Sequence, residues 1–466
     1  MRLQRPSGLW IGTFCLFVLL AGLAAVRVAD WSYGADTGTF AQVILGALGP
    51  MQNGVERTTH YRFHWSPTLI VLWPLLAATH SVWVLQAIVA AAAVACAPLL
   101  AAVARCGFRG RRIDDRLADR IGAVALVYPP LVALGFGEFR ELVLLPVLAL
   151  GWWLALQRRA WGWVAACAVL LAGLREDVCL ELVLLGVGVG LAVLRGGDRP
   201  KAAAAFGTAA AAAVSAAAYI LIVLPRVGPW PPSHFYDYPF AHGPLQLLAA
   251  PFVQPLAFAA AIFTVGRLTY VLEALLPLAF VPFRTRLIAL ALPGFAIVLL
   301  ANSGLVWRMG EHYAALWIPW LLIAFAAGIA TLRFPRRWTS AAFALSLLVL
   351  IAFNPSHPLF YLRPSYHALG DARAALACVP RDATVATHDE WYSAVSARRA
   401  GAMNLGDVPP PAEYLVVADD YPNAAFAAGV LPRVRALVAA GTYHARCRFG
   451  NVTTYVRSEG PSRPAG

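Results

Sequence analysis

At 466 residues, 60% of them hydrophobic and only 13% charged, with a mean hydropathy of +0.66, the chain is too apolar for a soluble globule, whose apolar share is about 45–50%. Its formal net charge of +13 does not point to nucleic acid, because the arginines sit in short links between apolar runs, where positive charge resists translocation and fixes orientation. The short alternating segments of a β-barrel are not visible, and repeated apolar runs of about 15–24 residues predict helices that cross a membrane.

Residues 9–29 have the basic start (Arg2, Arg5) and apolar middle of a signal peptide but no small-x-small cleavage site, and are read as the first transmembrane helix. Residues 30–67 form the first long polar interruption and are read as an active-site loop. It carries Asp36 in a Gly-rich turn and closes on His64-Trp65-Ser66-Pro67. Residues 68–78 are apolar but too short to cross the bilayer, so they are placed at the interface.

Residues 81–104 form a span ending in RCGFRGRRIDDRLADR, the most basic link and hence cytoplasmic. Spans then alternate: 121–135 rises to GEFRE (137–141), 142–156 returns to Arg158 and Arg159, 161–174 leads to REDVCLE (175–181), and 178–194 returns to RGGDRPK. The Ala-rich span 202–224 ends in a loop, 225–244, whose prolines and aromatics forbid a regular helix. Residues 245–283 fit either one tilted span with an interfacial helix or two short spans, and parity favours one crossing. Spans at 287–301, 313–332 and 339–353 complete an all-α polytopic domain, 1–353, of about eleven crossings with the N-terminus cytoplasmic. A roughly three-to-one excess of Arg and Lys on the assigned cytoplasmic side agrees with this orientation.

From residue 354 the composition turns polar, with β-like runs at 383–388 (ATVATH) and 412–420 (AEYLVVADD) and a helical stretch at 365–378. These predict a small extracytoplasmic α/β domain over 354–466. Five cysteines lie in or beside spans and read as packing residues. Cys378 and Cys447 lie in the polar segment, where a disulfide is open to them outside the cytoplasm, although connectivity does not follow from sequence.

On this topology Asp36, His64, Glu138, Arg140, Glu141, Arg175, Glu176, Asp177, Glu311 and His312 all fall at outer helix ends or in outer loops. Ionisable groups near hydrocarbon are costly and face a cavity or a partner, so this convergence predicts a polar pocket suited to acid/base work and anion recognition. Asp36 is the preferred general base, against the alternative of a helix or turn cap. Arg175 suits bidentate contact with a lipid phosphate, with Glu176 or Asp177 orienting it or holding an acceptor; a solvated, self-paired hinge is the alternative.

Glu138, Arg140 and Glu141 read the same way. Near His64, Ser66 and Pro67 have the form of a helix start, which favours a structural role for that histidine. Glu311 and His312 either contact substrate or mark the interface. Asp389, Glu390, Asp419 and Asp420 follow predicted strands, at the edge where α/β sheets bind ligands and where turns also form. No zinc-type spacing is present; no cofactor is expected, and a divalent metal has no motif in its support.

The motifs ADTGTFAQ (35–42), HWSP (64–67), GEFRELVLLP (137–146), REDVCLE (175–181), EHYAALWIP (311–319) and the tail from VPRDATVATHDEW to AEYLVVADD resemble, over nearly the whole chain, a family of prokaryotic multi-pass membrane proteins of unknown function allied to the GT-C glycosyltransferases. The resemblance implies a GT-C-like fold and transfer of a sugar from a polyprenyl-phosphate donor at the outer face of the cytoplasmic membrane; the leading expectation is inverting transfer of a hexosyl or pentosyl unit to a glycan, lipid or protein acceptor. Asp36 matches the acid of the first-loop motif, and Glu176 with Asp177 the later acidic pair behind a basic residue. The chain departs from the pattern at Ala41, where a second acid is common, and at Arg140, where a His is common. Those departures count against a two-acid or His-assisted mechanism. The alternatives are a transporter or flippase and a non-catalytic scaffold; acids clustered at one face rather than deep in broken spans favour the enzyme.

Overall fold

The computed structural model describes residues 8–108, 111, 113–228, 236–352, 366–406, 411–423 and 426–458. Arg2, Arg5, Arg109 and Arg112 of the basic links, part of the proline-aromatic loop and the junction near residue 354 lie outside the described residues.

The chain is mostly helical. Five described helices are long and apolar enough to cross a membrane: Gly8–Ala29, Val82–Arg105, Glu141–Arg158, Glu176–Arg195 and Arg199–Val227. The number is seven if each of two bent pairs is one span: Asp115–Val127 with Pro129–Phe136, bent by 54°, and Leu245–Val253 with Pro255–Ile262, bent by 116°. Both bends fall at an X-Pro step, where the missing N–H and the restricted preceding residue interrupt the helical ladder. Length therefore supports five to seven of the eleven expected crossings, and the remaining apolar segments include Trp161–Ala172, Arg286–Leu299 and Ile318–Ile329, which are shorter. The ambiguous stretch 245–283 holds the sharply bent pair followed by the helix Val265–Leu275.

Two compact units make up the chain. The first comprises Met1–Gly22, Tyr61–Thr68 and Ala87–Pro358. Its centre is Ile318–Ile329, in which every residue is buried, as expected for a helix that is apolar all round. Trp317, Trp320 and Trp152 fill the space about it. Its helices repeatedly begin with a 3-10 turn and a proline in the first α-turn, as at Pro146, Pro293 and Pro319, where the absent N–H is harmless.

The second unit comprises Leu23–His60, Leu69–Gln86 and Leu359–Gly466, so residues of the first polar loop belong with the C-terminal residues. Its five-stranded sheet has the order β4-β3-β5-β7-β6. The strands are β3 (Val385–Thr387), β4 (Ala402–Asn404), β5 (Tyr414–Ala418), β6 (Tyr443–Phe449) and β7 (Val452–Arg457); β1 (Asp237–Tyr238) and β2 (Ala241–His242) form a separate hairpin in the first unit. β3 runs parallel to β4 and β5, and β7 is antiparallel to β5 and β6.

The central β5, YLVVA, shows why the sheet is covered on both faces. Tyr414, Val416 and Ala418 join one apolar cluster with Leu376 and Trp391, whereas Leu415 and Val417 join another with Leu431 and Val434. A disulfide joins Cys378, just after the helix Leu369–Ala377, to Cys447 on β6.

The first loop is built into this unit by close backbone contact. Gln42 donates from Nε2 to the Ala402 carbonyl (2.9 Å) and accepts at Oε1 from the Gly54 N–H (2.7 Å) and the Tyr392 hydroxyl (2.8 Å). A Cβ on Gly54 would lie 2.3 Å from the Ala402 carbonyl oxygen, so only glycine allows the loop to lie on β4.

Candidate functional site

The helix Glu176–Arg195 starts where Trp161–Ala172 has just ended, and the turn between them carries Arg175. The HWSP segment is seated on this turn. The Thr68 N–H donates to the Gly173 carbonyl (2.9 Å) and its hydroxyl to the Leu170 carbonyl (2.7 Å), while a Cβ at Gly173 would lie 2.5 Å from Thr68 Oγ1. Trp65 stacks on Tyr219 and donates its indole N–H to Ser215 Oγ (2.7 Å).

This docking brings His64 to Glu176. His64 Nδ1 lies 3.0 Å from Glu176 Oε1, and the Trp65 N–H donates to Oε2 at 3.0 Å, so both carboxylate oxygens are held. Glu176 also lies in the first turn of its helix, where the N-terminal dipole favours a carboxylate. Arg175, only 6% exposed, donates from Nη1 to Glu141 Oε1 (3.4 Å), places Nε 3.3 Å from Asp177 Oδ2 and lies over the Tyr313 ring at 5.2 Å.

Glu141 is 1% exposed, and its Oε2 has no hydrogen-bond partner among the described residues. The 3-10 turn that begins at Glu141 packs against the one over His312–Leu316, which brings Arg140 Nη1 within 3.4 Å of His312 Nε2. Burial, with Arg140 and Arg175 close by, holds the His312 imidazole well below its usual pKa.

The GEFRE, REDVCLE and EH motifs and the end of the first loop thus meet in one network within the first unit: His64, Arg140, Glu141, Arg175, Glu176, Asp177 and His312, with Glu311 at its margin, 4.0 Å from His312. Glu138 is half-buried in the loop that carries Arg140. Arg175 is committed to carboxylates and to Tyr313, which makes it the positive centre that holds three acids together; Arg140 is the half-exposed guanidinium.

Asp36 belongs to the second unit. The Gly-rich turn expected around it is instead the first turn of a helix, Ala35–Leu45. Gly38 is tolerated inside this helix because Tyr392 and Ser393 press on it, and its N–H donates to Ser393 Oγ at 2.9 Å. An acid in a first helical turn is well placed against the dipole, although the helix is capped at Gly34 and not at Asp36.

Sequence reasoning passed over several members. Tyr313 and Ser215 carry no signal beyond an aromatic and a small polar residue in apolar runs. Glu181 does carry one, since a lone acid inside an apolar span is costly. It is 1% exposed and accepts a hydrogen bond from the Trp320 indole. Among the described residues no group of three or more His, Cys, Asp or Glu side chains is arranged to hold a metal ion.

No curated protein matches the chain. Solved structures that share its fold include ArnT from Cupriavidus metallidurans bound to undecaprenyl phosphate (TM-score 0.56, 14% identity, covering 98% of this chain and 100% of that one) and the same protein in the apo state (TM-score 0.53, 14% identity, 97% and 99%). The likeness extends over nearly the full length of both chains and shows that this chain has the fold of ArnT. A family model described as "Predicted membrane protein (DUF2079)" matches residues 35–408, well over half of the sequence, and the chain belongs to that family of multi-pass membrane proteins.

Proposed function

We propose that the protein is a membrane glycosyltransferase that moves a sugar from a polyprenyl-phosphate carrier to an acceptor at the outer face of the cytoplasmic membrane. The observation that carries this reading is the buried network of acids, arginines and histidines assembled from four separate motifs at the ends of apolar helices. Such a constellation is expensive near hydrocarbon and is the form a polar substrate site takes there. Full-length likeness in fold to a protein whose crystal structure holds undecaprenyl phosphate supports the carrier class.

In this reading the acceptor hydroxyl attacks the anomeric carbon, and the carrier leaves as a polyprenyl phosphate with the bonding electron pair. Asp36 takes the proton from the acceptor hydroxyl. Arg140 neutralises charge on the departing phosphate, whereas Arg175, locked to Glu141 and Asp177, positions rather than binds. Glu138, Glu311 and His312 line the donor's approach. A position of the sheet domain outside the cytoplasm is supported by the Cys378–Cys447 disulfide, since such bonds persist in oxidising compartments.

The test is transfer from labelled polyprenyl-phosphate sugars by the purified protein. Asp36→Asn should lower turnover by at least about 100-fold with unchanged thermal stability. Unchanged turnover would remove the base. Glu181, an acid embedded in a span, is the observation that favours a flippase instead. No transfer with any donor, together with Glu181-dependent flipping of lipid-linked sugars in vesicles, would establish that reading.

A further inference from the structure

The parallel strands β4, β3 and β5 run toward one edge of the sheet, where a cavity of about 110 Å³ opens. Loops diverge beyond the carboxyl ends of parallel strands, which is where open α/β sheets bind ligands. All three strands supply the lining: His388 and Asp389 after β3, Asn404 and Gly406 at the end of β4, and Tyr421 after β5.

The chemistry of this lining is selective. His388 is 3% exposed and stacks on Tyr421 with ring centroids 3.8 Å apart and planes inclined by 16°. Its Nε2 accepts from the Ala418 N–H at 3.0 Å, so the ring is fixed and carries no proton at that nitrogen. Asn404 donates from Nδ2 to Asp389 Oδ1 (2.6 Å) and accepts at Oδ1 from the Gly406 N–H (2.7 Å). Asp389 is thereby oriented through one oxygen, and Oδ2 makes no further hydrogen bond among the described residues.

Among the described residues the lining holds a carboxylate and no Lys or Arg, and the Arg57 guanidinium beside it is engaged by the Asn404 and Leu405 carbonyls, which disfavours phosphate and other anions. It also disfavours a purely apolar ligand, which would leave Asp389 desolvated and unpaired. A molecule with hydroxyl donors on its rim and C–H bonds on its face meets both demands, with donors for the carboxylate and a face for the aromatic rings. A water occupies about 10–15 Å³ of comparable cavity volume, so the space suits one ring rather than a chain.

We propose that this cavity binds a single neutral sugar ring of a glycan, with Asp389 accepting from its hydroxyls and the apolar lining of Tyr421, Phe426 and Val430 meeting its C–H face. The helix Asp389–Ser396, which starts at the cavity, is also the one on which Asp36's helix lies, through Gly38 and Ser393. A glycan bound here is therefore held in the same compact unit as Asp36. If the protein transfers sugars, the ring belongs to the acceptor; binding itself does not depend on transfer.

The experiment is saturation-transfer NMR on the purified full-length protein in a glycoside-free detergent, with methyl glucoside, galactoside, mannoside and arabinoside as probes and tetramethylammonium as the cationic control. At least one glycoside should bind saturably, and Asp389→Asn, which keeps the acceptor for Asn404, should weaken it about tenfold or more. Asp36→Asn should leave it unchanged, which separates this result from failure of the transferase reading. Binding of none of the glycosides, binding of tetramethylammonium alone, or glycoside binding indifferent to both Asp389→Asn and Asp389→Ala would overturn the proposal.

Discussion

Two clusters, one in each unit, hold buried ionisable side chains by different means, although His312 in the first unit is discharged by burial much as His388 is in the second. In the first cluster, charge is retained and matched: Arg175 lies among Glu141, Glu176 and Asp177, and Glu176 is shared between His64 and a backbone N–H. In the second, His388 is packed among Trp391, Tyr421 and Phe426 and its pKa is pushed down to about 3 by burial. Taking a charge out of water is costly, and the chain meets that cost with partners in one place and by discharging the group in the other. The Arg175 cluster should therefore be vulnerable to loss of a partner, and the His388 cluster to pH.

Deleting a partner gives the largest expected effect. Arg175→Leu leaves Glu141 and Asp177 buried without their cation and should destabilise the first unit by roughly 3–5 kcal/mol, read as a lower thermal midpoint in detergent. Adding Glu141→Leu should restore much of that loss, because the most deeply buried orphaned acid is then gone. A single variant within about 1 kcal/mol of wild type would show that this network is a solvated hinge and would dissolve the contrast.

The pH response comes next. The folded pKa of His388 lies below its unfolded value, so the unfolded chain binds the extra proton first. Stability from this group is complete above about pH 6.5 and falls as the pH drops toward about 3, by roughly 2–3 kcal/mol at pH 4.5. His388→Gln retains an acceptor for the Ala418 N–H without the titration. Its melting temperature should therefore approach or pass that of wild type as the medium is acidified. Parallel pH profiles would mean that His388 is charged in the folded state.

What could be read from sequence divides along the same line. The multi-pass helical character was legible because apolar runs report the membrane directly, although length supports only five to seven of the eleven expected crossings; REDVCLE, GEFRE and EH, expected to converge, do meet in one network. Length was less legible: Ile318–Ile329 is short and wholly buried in protein, which hydropathy alone does not distinguish from a span. In the second unit, β5 announced itself as a continuous apolar run, whereas β4, β6 and β7 are short or polar on one face.

Joining of residues 23–60 to the C-terminal sheet was not legible at all. It depends on contacts such as Gln42 with Ala402 and Gly54 with β4, more than 300 positions apart, that leave no local periodicity.

The smallest effect tests how the first unit's network is positioned. Gly173→Ala would place a methyl 2.5 Å from Thr68 Oγ1 and 3.3 Å from the Thr68 nitrogen, so the segment carrying His64 and Trp65 must move away from the Arg175 turn. Overpacking of this kind costs about 1–3 kcal/mol. The movement should also lengthen the paired contacts of Glu176 with His64 and the Trp65 N–H, and lower transfer activity beyond what the stability loss explains. Thr68→Ala in the same chain removes the clashing hydroxyl, together with its bond to the Leu170 carbonyl, and should recover part of the activity. Recovery of stability without activity would mean that the docked segment serves packing alone, and that the matched charges of the first unit do not need His64 in place to work.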